Sequence, residues 1–180
     1  MLNLVDAFNT PNCGKLPQEH GSLYNKIFAP YVNKKIRMLE IGVWQGISLK
    51  IWKKFFTDVE LFGIDVQLRN SEILEYAKVV FGDQSYVPFM KKVANELGPF
   101  DIVIDDGGHY SDDQQVSFNA LWPVVNSGGL YVIEDLWVAK DRAVNGYECT
   151  LDFLDKLDVK KEYYKGFDGF EKDICVLYKE

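Results

Sequence analysis

Five short apolar runs, each followed by a stretch with helical spacing or turn residues, constrain this chain more than any other feature. They are IRMLEIG (36–42), VELFGID (59–65), KVVFGD (78–83), FDIVID (100–105) and GLYVIE (129–134). Runs of that length, apolar on both faces, belong inside a parallel sheet, where each crossover needs a dozen or more residues. The spacing predicts helices over 23–31, 48–56, 71–77, 86–97 and 111–125. Ser22 and Ser48 are the expected starts of the first two, Ser111 with Gln114 forms a capping box, and Gly98-Pro99 is a stop signal. A helix over 147–157 and strands at 159–164 and 173–179 follow. The loop holding Gly166 and Gly169 is too short for a helical crossover, so the last strand should run antiparallel. Such a chain is an α/β three-layer sandwich with a mostly parallel sheet.

A length of 180 residues suits one domain, 1–180, with a lead-in and first helix over 1–35 and a core over 36–180. Residues 1–21 are rich in turn formers and are expected to be irregular. The net charge of −7, with no basic block to offset it, argues against nucleic acid as a partner. No run approaches the roughly eighteen apolar residues of a membrane span. The N-terminus lacks the basic and apolar regions of a signal peptide. Cys13, Cys149 and Cys175 are odd in number and lack metal-type spacing, which points to reduced thiols in a cytoplasmic protein. The sequence leaves a homo-oligomer open.

The segment LEIGVWQGIS (39–48) is a strand end, a turn with Gly42 and Gly46, and a helix start at Ser48. Glycines admit close backbone approach, and a helix start offers free N–H groups to an anion. The G-x-x-x-G spacing differs from the dinucleotide G-x-G-x-x-G, and Val43 and Trp44 would crowd a pyrophosphate. Glu40 stands where an acid can accept from an ammonium group. Asp65 ends the second run, where an acid commonly meets ribose hydroxyls. Asp83-Gln84 ends the third, placed for an adenine edge. A turn or a cap would explain each acid alone; three at successive strand ends favour a nucleoside-like ligand.

The fourth and fifth runs also end in acids. Asp106 and, three residues on, His109 follow one; Glu134 and Asp135 follow the other. If the two strands are neighbours, the three carboxylates converge as oxygen ligands for Mg²⁺ or Mn²⁺. His109 beside them is a competent base near neutrality. Trp137, Tyr147, Tyr24 and His20 are candidates to line an acceptor site.

E-x-G-x-x-x-G-x-S, then GID, GD and IDD at these intervals, resembles the class I S-adenosylmethionine-dependent methyltransferases over about residues 36–180. The resemblance implies a Rossmann-like seven-stranded sheet of order 3-2-1-4-5-7-6 with strand 7 antiparallel. It places Glu40, Gly42, Gly46 and Ser48 at the methionine part of the cofactor, Asp65 at the ribose and Asp83-Gln84 on the adenine side, with Asp106 also beside the cofactor. The IDDGGH…VIEDLW pair resembles the narrower group of metal-dependent O-methyltransferases that act on sugars of macrolides and other glycosylated natural products. That implies Asp106, Glu134 and Asp135 as metal ligands, His109 as base and a sugar hydroxyl as acceptor. Catechol-type O-methyltransferases are a more distant likeness, with lysine where His109 stands. A vicinal diol as acceptor, or a nucleoside-binding protein without methyl transfer, are the alternatives. Larger members of the sugar group carry an added N-terminal domain over the site. None is expected here, which leaves the lead-in and residues 136–150 as the expected lids.

Overall fold

The five apolar runs pair side by side as parallel strands, because backbone groups taken out of water find their partners on a neighbouring strand. In the computed structural model, which describes residues 2–11, 13–138, 143–166 and 169–180, the strands are β1 (Lys35–Ile41), β2 (Asp58–Asp65), β3 (Ala77–Phe81), β4 (Phe100–Asp105) and β5 (Val125–Ile133). Two more, β6 (Lys161–Tyr164) and β7 (Ile174–Tyr178), complete a sheet of order β3-β2-β1-β4-β5-β7-β6. β7 is antiparallel to both of its neighbours, as the short loop before it requires.

Helices cover both faces, which makes the three layers. One layer is α1 (Leu4–Phe8), α2 (Pro17–Phe28) and α3 (Ile47–Phe55); the other is α4 (Val87–Leu97), α5 (Ser111–Leu121) and α6 (Thr150–Lys156). Side chains alternate across a strand, so Met38, Ile104 and Val132 pack towards the first layer. Leu39, Val103 and Ile133 pack towards the second. That alternation decides where the acids at the strand ends go.

The N-terminal segment departs from expectation. Residues 4–8 are helical rather than irregular, and the next helix starts at Pro17 rather than after Ser22. Proline at the first helical position costs no hydrogen bond. Phe8, Tyr24 and Phe28 close around Trp52 of α3, with ring centroids 5.3–5.5 Å from the indole. At Gly21 a β-carbon would meet Val5 Cα at 2.7 Å, so glycine is what lets α1 and α2 touch. Burying these rings, at roughly 1.5–3 kcal/mol each, overrides the turn-forming composition that suggested a loop.

Other differences are local. Residues 71–75 form a 3₁₀ turn rather than an α-helix. Tyr110, not Ser111, is the N-cap of α5; its N–H donates to Asp113 Oδ2 at 3.4 Å, while Ser111 is buried in the first turn. β5 begins four residues early, at Val125, which pairs with Phe100. Residues 139–142 of the expected 136–150 lid lie outside the described residues. Among the described residues, no helix is long and apolar enough to cross a membrane.

Candidate active site

Three acids inherit the parity of the apolar residues two positions before them. Glu40 follows Met38, Asp106 follows Ile104 and Glu134 follows Val132, so all three lean towards the α1–α2–α3 layer from neighbouring strands. The backbone keeps this register past the strand ends: Asp106 N donates to Ile41 O at 3.0 Å and Glu134 N to Asp105 O at 3.0 Å. Asp105, of opposite parity, faces the other layer. There Gln84 Nε2 donates to it at 3.0 Å and Tyr131 Oη at 3.4 Å. Burial pushes the Asp105 carboxyl up to about 8 despite the Gln84 bond.

Two fully buried carboxylates, Glu40 and Glu134, beside the partly exposed Asp106 need a counter-charge, and Lys15 supplies it. Its ammonium lies 2.7 Å from Glu134 Oε1, 2.8 Å from Asp106 Oδ2 and 3.6 Å from Glu40 Oε1, with the side chain only 1% exposed. Desolvation works against that charge, but the three acids hold the ammonium well above the ordinary lysine range. Two residues of α2 complete the cluster. His20 Nε2 stands 3.1 Å from Glu134 Oε2, and the Tyr24 hydroxyl donates to Glu134 Oε1. Burial opposes ionisation of Glu134, yet Lys15 and His20 hold its carboxyl far below the usual range. Asp106 goes the other way: burial raises it to about 6 against the pull of Lys15. Tyr24 and His20, expected as possible acceptor-site residues, are instead buried on Glu134.

Above this layer opens a cavity of about 500 Å³. Asp106 is shared, held by Lys15 from beneath and lining the cavity from the side; His109 and Asp135 line it too. One ligand atom from each of Asp106, His109 and Asp135 lies within 4.8 Å of the others, and His109 Nε2 is 3.5 Å from Asp135 Oδ2. Two carboxylates and an imidazole so close together suit a hard divalent ion such as Mg²⁺ or Mn²⁺. Glu134, expected in this set, meets Asp106 across the Lys15 ammonium at 2.7 and 2.8 Å and stands outside the cluster of Asp106, His109 and Asp135. His109 and Asp135 both have left-handed backbone, φ 50° and 55°. Non-glycine residues held so are strained, and such strain gathers at functional sites.

The glycine turn lines the same cavity. Gly42 has φ 85°, and a β-carbon there would meet Asp106 O at 1.9 Å, so this glycine locks the turn against the loop that carries Asp106. Gly46, φ 73°, is the N-cap of α3, and no side chain bonds the helix start there. The first N–H groups of α3 are thus available to an anion at the cavity wall formed by Ile47 and Ser48. Ser48 Oγ donates to Glu40 Oε2 at 2.8 Å. Glu40 Oε1 is buried without a hydrogen-bond partner, the Lys15 ammonium standing 3.6 Å away, and burial lifts its carboxyl to about 7.

Asp65 and Asp83 line the same cavity and also serve the backbone. Asp65 Oδ2 accepts from Val43 N at 3.0 Å and Trp44 N at 2.8 Å, and Oδ1 from Gln67 N at 3.1 Å. Asp83 Oδ1 accepts from Ser85 N at 2.8 Å and Ser85 Oγ at 2.7 Å. The Gln84 amide is turned inward, to Asp105, Ser117 Oγ (3.2 Å) and the N–H of Gly108 (2.8 Å). It steadies the loop between Asp106 and His109. Five aspartates and one arginine among the lining residues make the cavity acidic, an environment that favours a cationic ligand.

Sequence reasoning missed Lys15, and it missed His20 and Tyr24 in their actual role. Their partners Asp106 and Glu134 lie 91 to 119 residues away along the chain, and no local period marks them. The i, i+4 spacing of His20 and Tyr24 on one face of α2 was the one available signal.

No protein-family model matches the chain. Over 123 residues it is 42% identical to the mycinamicin VI 2''-O-methyltransferase of Micromonospora griseorubida, a match covering 64% of this chain and 31% of that protein. Over 143 residues it is 40% identical to the demethylmacrocin O-methyltransferase of Streptomyces fradiae, covering 76% and 36%. The solved MycE methyltransferase of mycinamycin biosynthesis, in complex with Mg, SAH and mycinamycin VI, superposes with a TM-score of 0.82 at 31% identity. That superposition covers 99% of this chain and 53% of the other. The chain thus spans about a third of the length of these curated relatives and about half of the solved one. It has the class I methyltransferase fold, and in sequence it resembles the O-methyltransferases of glycosylated natural products.

Proposed function

We propose that the chain works as an S-adenosylmethionine-dependent, Mg²⁺- or Mn²⁺-dependent O-methyltransferase acting on a hydroxyl of a sugar in a glycosylated metabolite. The observation that carries this reading is the convergence of Asp106, His109 and Asp135 in an acidic cavity that the Gly42–Gly46 turn also lines. The relatives named for methylating glycosylated products support the choice of acceptor.

In this reading Asp106 and Asp135, with Glu134 on the Asp106 side, hold the ion, and Glu40 with the start of α3 holds the amino-acid end of the cofactor. Asp65 takes the ribose hydroxyls, and Asp83 with Gln84 borders the adenine side. When bound, the cofactor supplies an electrophilic methyl and the ion lowers the acceptor hydroxyl's pKa. His109 Nε2 takes the hydroxyl proton, and Asp135 at 3.5 Å steadies the imidazolium that forms. The strained loops at His109 and Asp135 keep the two in place beforehand, so orientation is provided by the fold. Because the ligand atoms of all three residues lie within 4.8 Å, a second reading makes His109 a ligand of the ion rather than the base.

A methyl-transfer screen over glycosides, nucleotide sugars and catechols, with Mg²⁺ and mass-spectrometric readout, tests the proposal. Transfer to a glycoside hydroxyl is the expected result. Transfer only to catechols would move the acceptor class. Cofactor binding without transfer to any acceptor would leave a nucleoside-binding protein.

A further inference from the structure

His20 and Tyr24 take no part in the chemistry above, yet both reach Glu134 from one face of α2, one helical turn apart. The Lys15 ammonium, 2.7 Å from Glu134 Oε1 and 2.8 Å from Asp106 Oδ2, marks the point between the two carboxylates where a cation is held. A divalent ion that takes this point from the lysine meets Glu134 through Oε1. The other oxygen is already engaged. His20 Nδ1 accepts from the Leu16 N–H at 3.1 Å, which leaves the ring proton on Nε2, 3.1 Å from Glu134 Oε2. The imidazole has little room to turn aside: it is buried, and the Tyr24 ring beside it is stacked on Phe28 with centroids 4.8 Å apart. The Tyr24 hydroxyl donates to Oε1, so α2 holds the carboxylate at both ends.

We propose that His20 is a positioning residue that sets the metal selectivity of the centre: by occupying Oε2 it keeps Glu134 a one-oxygen ligand and so favours Mg²⁺ over Ca²⁺. The inference rests on the metal reading given above. Mg²⁺ demands a near-ideal octahedron of single oxygens, whereas Ca²⁺ takes more oxygens in looser geometry and gains from a carboxylate bound through both. A donor on the outer oxygen of a ligating carboxylate also orients it before the ion arrives. The N-terminal segment thereby acquires a task that a lid or a lead-in would not have. It shapes the coordination from behind the ligands.

The test is calorimetric titration of Mg²⁺ and, separately, Ca²⁺ into the whole chain, without cofactor or acceptor, for wild type, His20→Phe, His20→Gln and Asp106→Asn. His20→Phe keeps a ring in place and removes the donor. Its ratio of Mg²⁺ to Ca²⁺ affinity is expected to fall at least about tenfold below that of wild type. His20→Gln, whose amide N–H can donate to the same oxygen, is expected to stay nearer to wild type. A histidine that mattered only for packing would, when lost, weaken both ions by the same factor. An unchanged ratio in His20→Phe, or a ratio that falls as far in His20→Gln, overturns the proposal. If His20→Phe does not fold, crystals of the wild type grown with Mn²⁺ read the same point. Glu134 on the ion through one oxygen, with the other on His20, supports the proposal; both oxygens on the ion overturn it. The metal reading has its own control, since Mg²⁺ binding must vanish in Asp106→Asn. If wild type binds neither ion, that reading fails and this inference with it.

Discussion

The acids at the ends of β2 and β3 look like those at the ends of β4 and β5 in sequence, and the fold treats them oppositely. Asp65 and Asp83 turn back onto backbone N–H groups of their own and neighbouring turns, and both also line the cavity. Such a carboxylate stays hydrated on one side, so it costs little to keep and can still accept a ligand's hydroxyls. Asp106 and Glu134 are driven together from neighbouring strands, and a lysine from the far N-terminus balances them. A strand-end acid that caps a turn is self-sufficient, whereas a buried group of acids needs imported charge. The half built with imported charge is the one we assign to chemistry, and the self-sufficient half to cofactor recognition.

The largest effects should therefore come from the β4–β5 half. Chelation, or Asp106→Asn, is expected to lower methyl transfer by about 10²–10³-fold or more, with Mg²⁺ restoring the chelated wild type but not the variant. Full activity in chelator would end the distinction between the halves. His109→Ala should reduce kcat by about 10²–10⁴-fold while calorimetric Mg²⁺ affinity stays near wild type. A fall in Mg²⁺ affinity comparable to that of Asp106→Asn would instead make His109 a ligand.

These expectations show how unevenly the sequence disclosed the molecule. The period of the apolar runs was enough for the central strands and their layers, because burial on both faces leaves a strand few other places to go. The shared parity of Glu40, Asp106 and Glu134 with Met38, Ile104 and Val132 was also readable, and it already implied that Glu134 and Asp135 would diverge. What could not be read was the charge that makes the convergence stable. Lys15 sits in a stretch with no period, between turn formers, and becomes meaningful only when α1 and α2 pack on Trp52. The inward turn of Gln84 was hidden for the same reason: its partners Asp105, Ser117 and Gly108 lie 21 to 33 residues away.

In the β2–β3 half a smaller change is expected, and of another kind. Asp65→Ala removes the acceptor for the N–H groups of Val43 and Trp44 and, in our reading, the partner of the ribose. Loss of a charged hydrogen-bond acceptor corresponds to about a 10–100-fold weaker cofactor affinity, with calorimetric Mg²⁺ binding unaffected. Asp65→Asn, which keeps an oxygen for the turn, should lie between the two. If Asp65→Ala left cofactor affinity intact and only lowered Tm, the acid would serve the turn alone.

The smallest expected effect is a pH dependence at the boundary between the halves, where Glu40 touches both. Burial raises its carboxyl to about 7 in the folded chain, from an ordinary value of 4.5. Between those values the unfolded chain has released the proton and the folded chain keeps it. The folded state then binds more protons, so stability falls as pH rises through this window and levels off above it. Asp106, raised to about 6, Asp105, raised to about 8, and His20, raised by Glu134, all lose stability in the same direction. Glu134 is lowered, so its contribution is already complete once pH exceeds its ordinary value of 4.5. Thermal melts of the metal-free, cofactor-free protein from pH 5 to 8 should show a declining Tm, and Glu40→Gln should decline less steeply because one of the titrating groups is gone. An equal slope in the variant would mean that Lys15 already compensates Glu40 fully at 3.6 Å. In that event the ammonium belongs to all three acids equally, and the boundary between the halves lies at Ser48 rather than at Glu40.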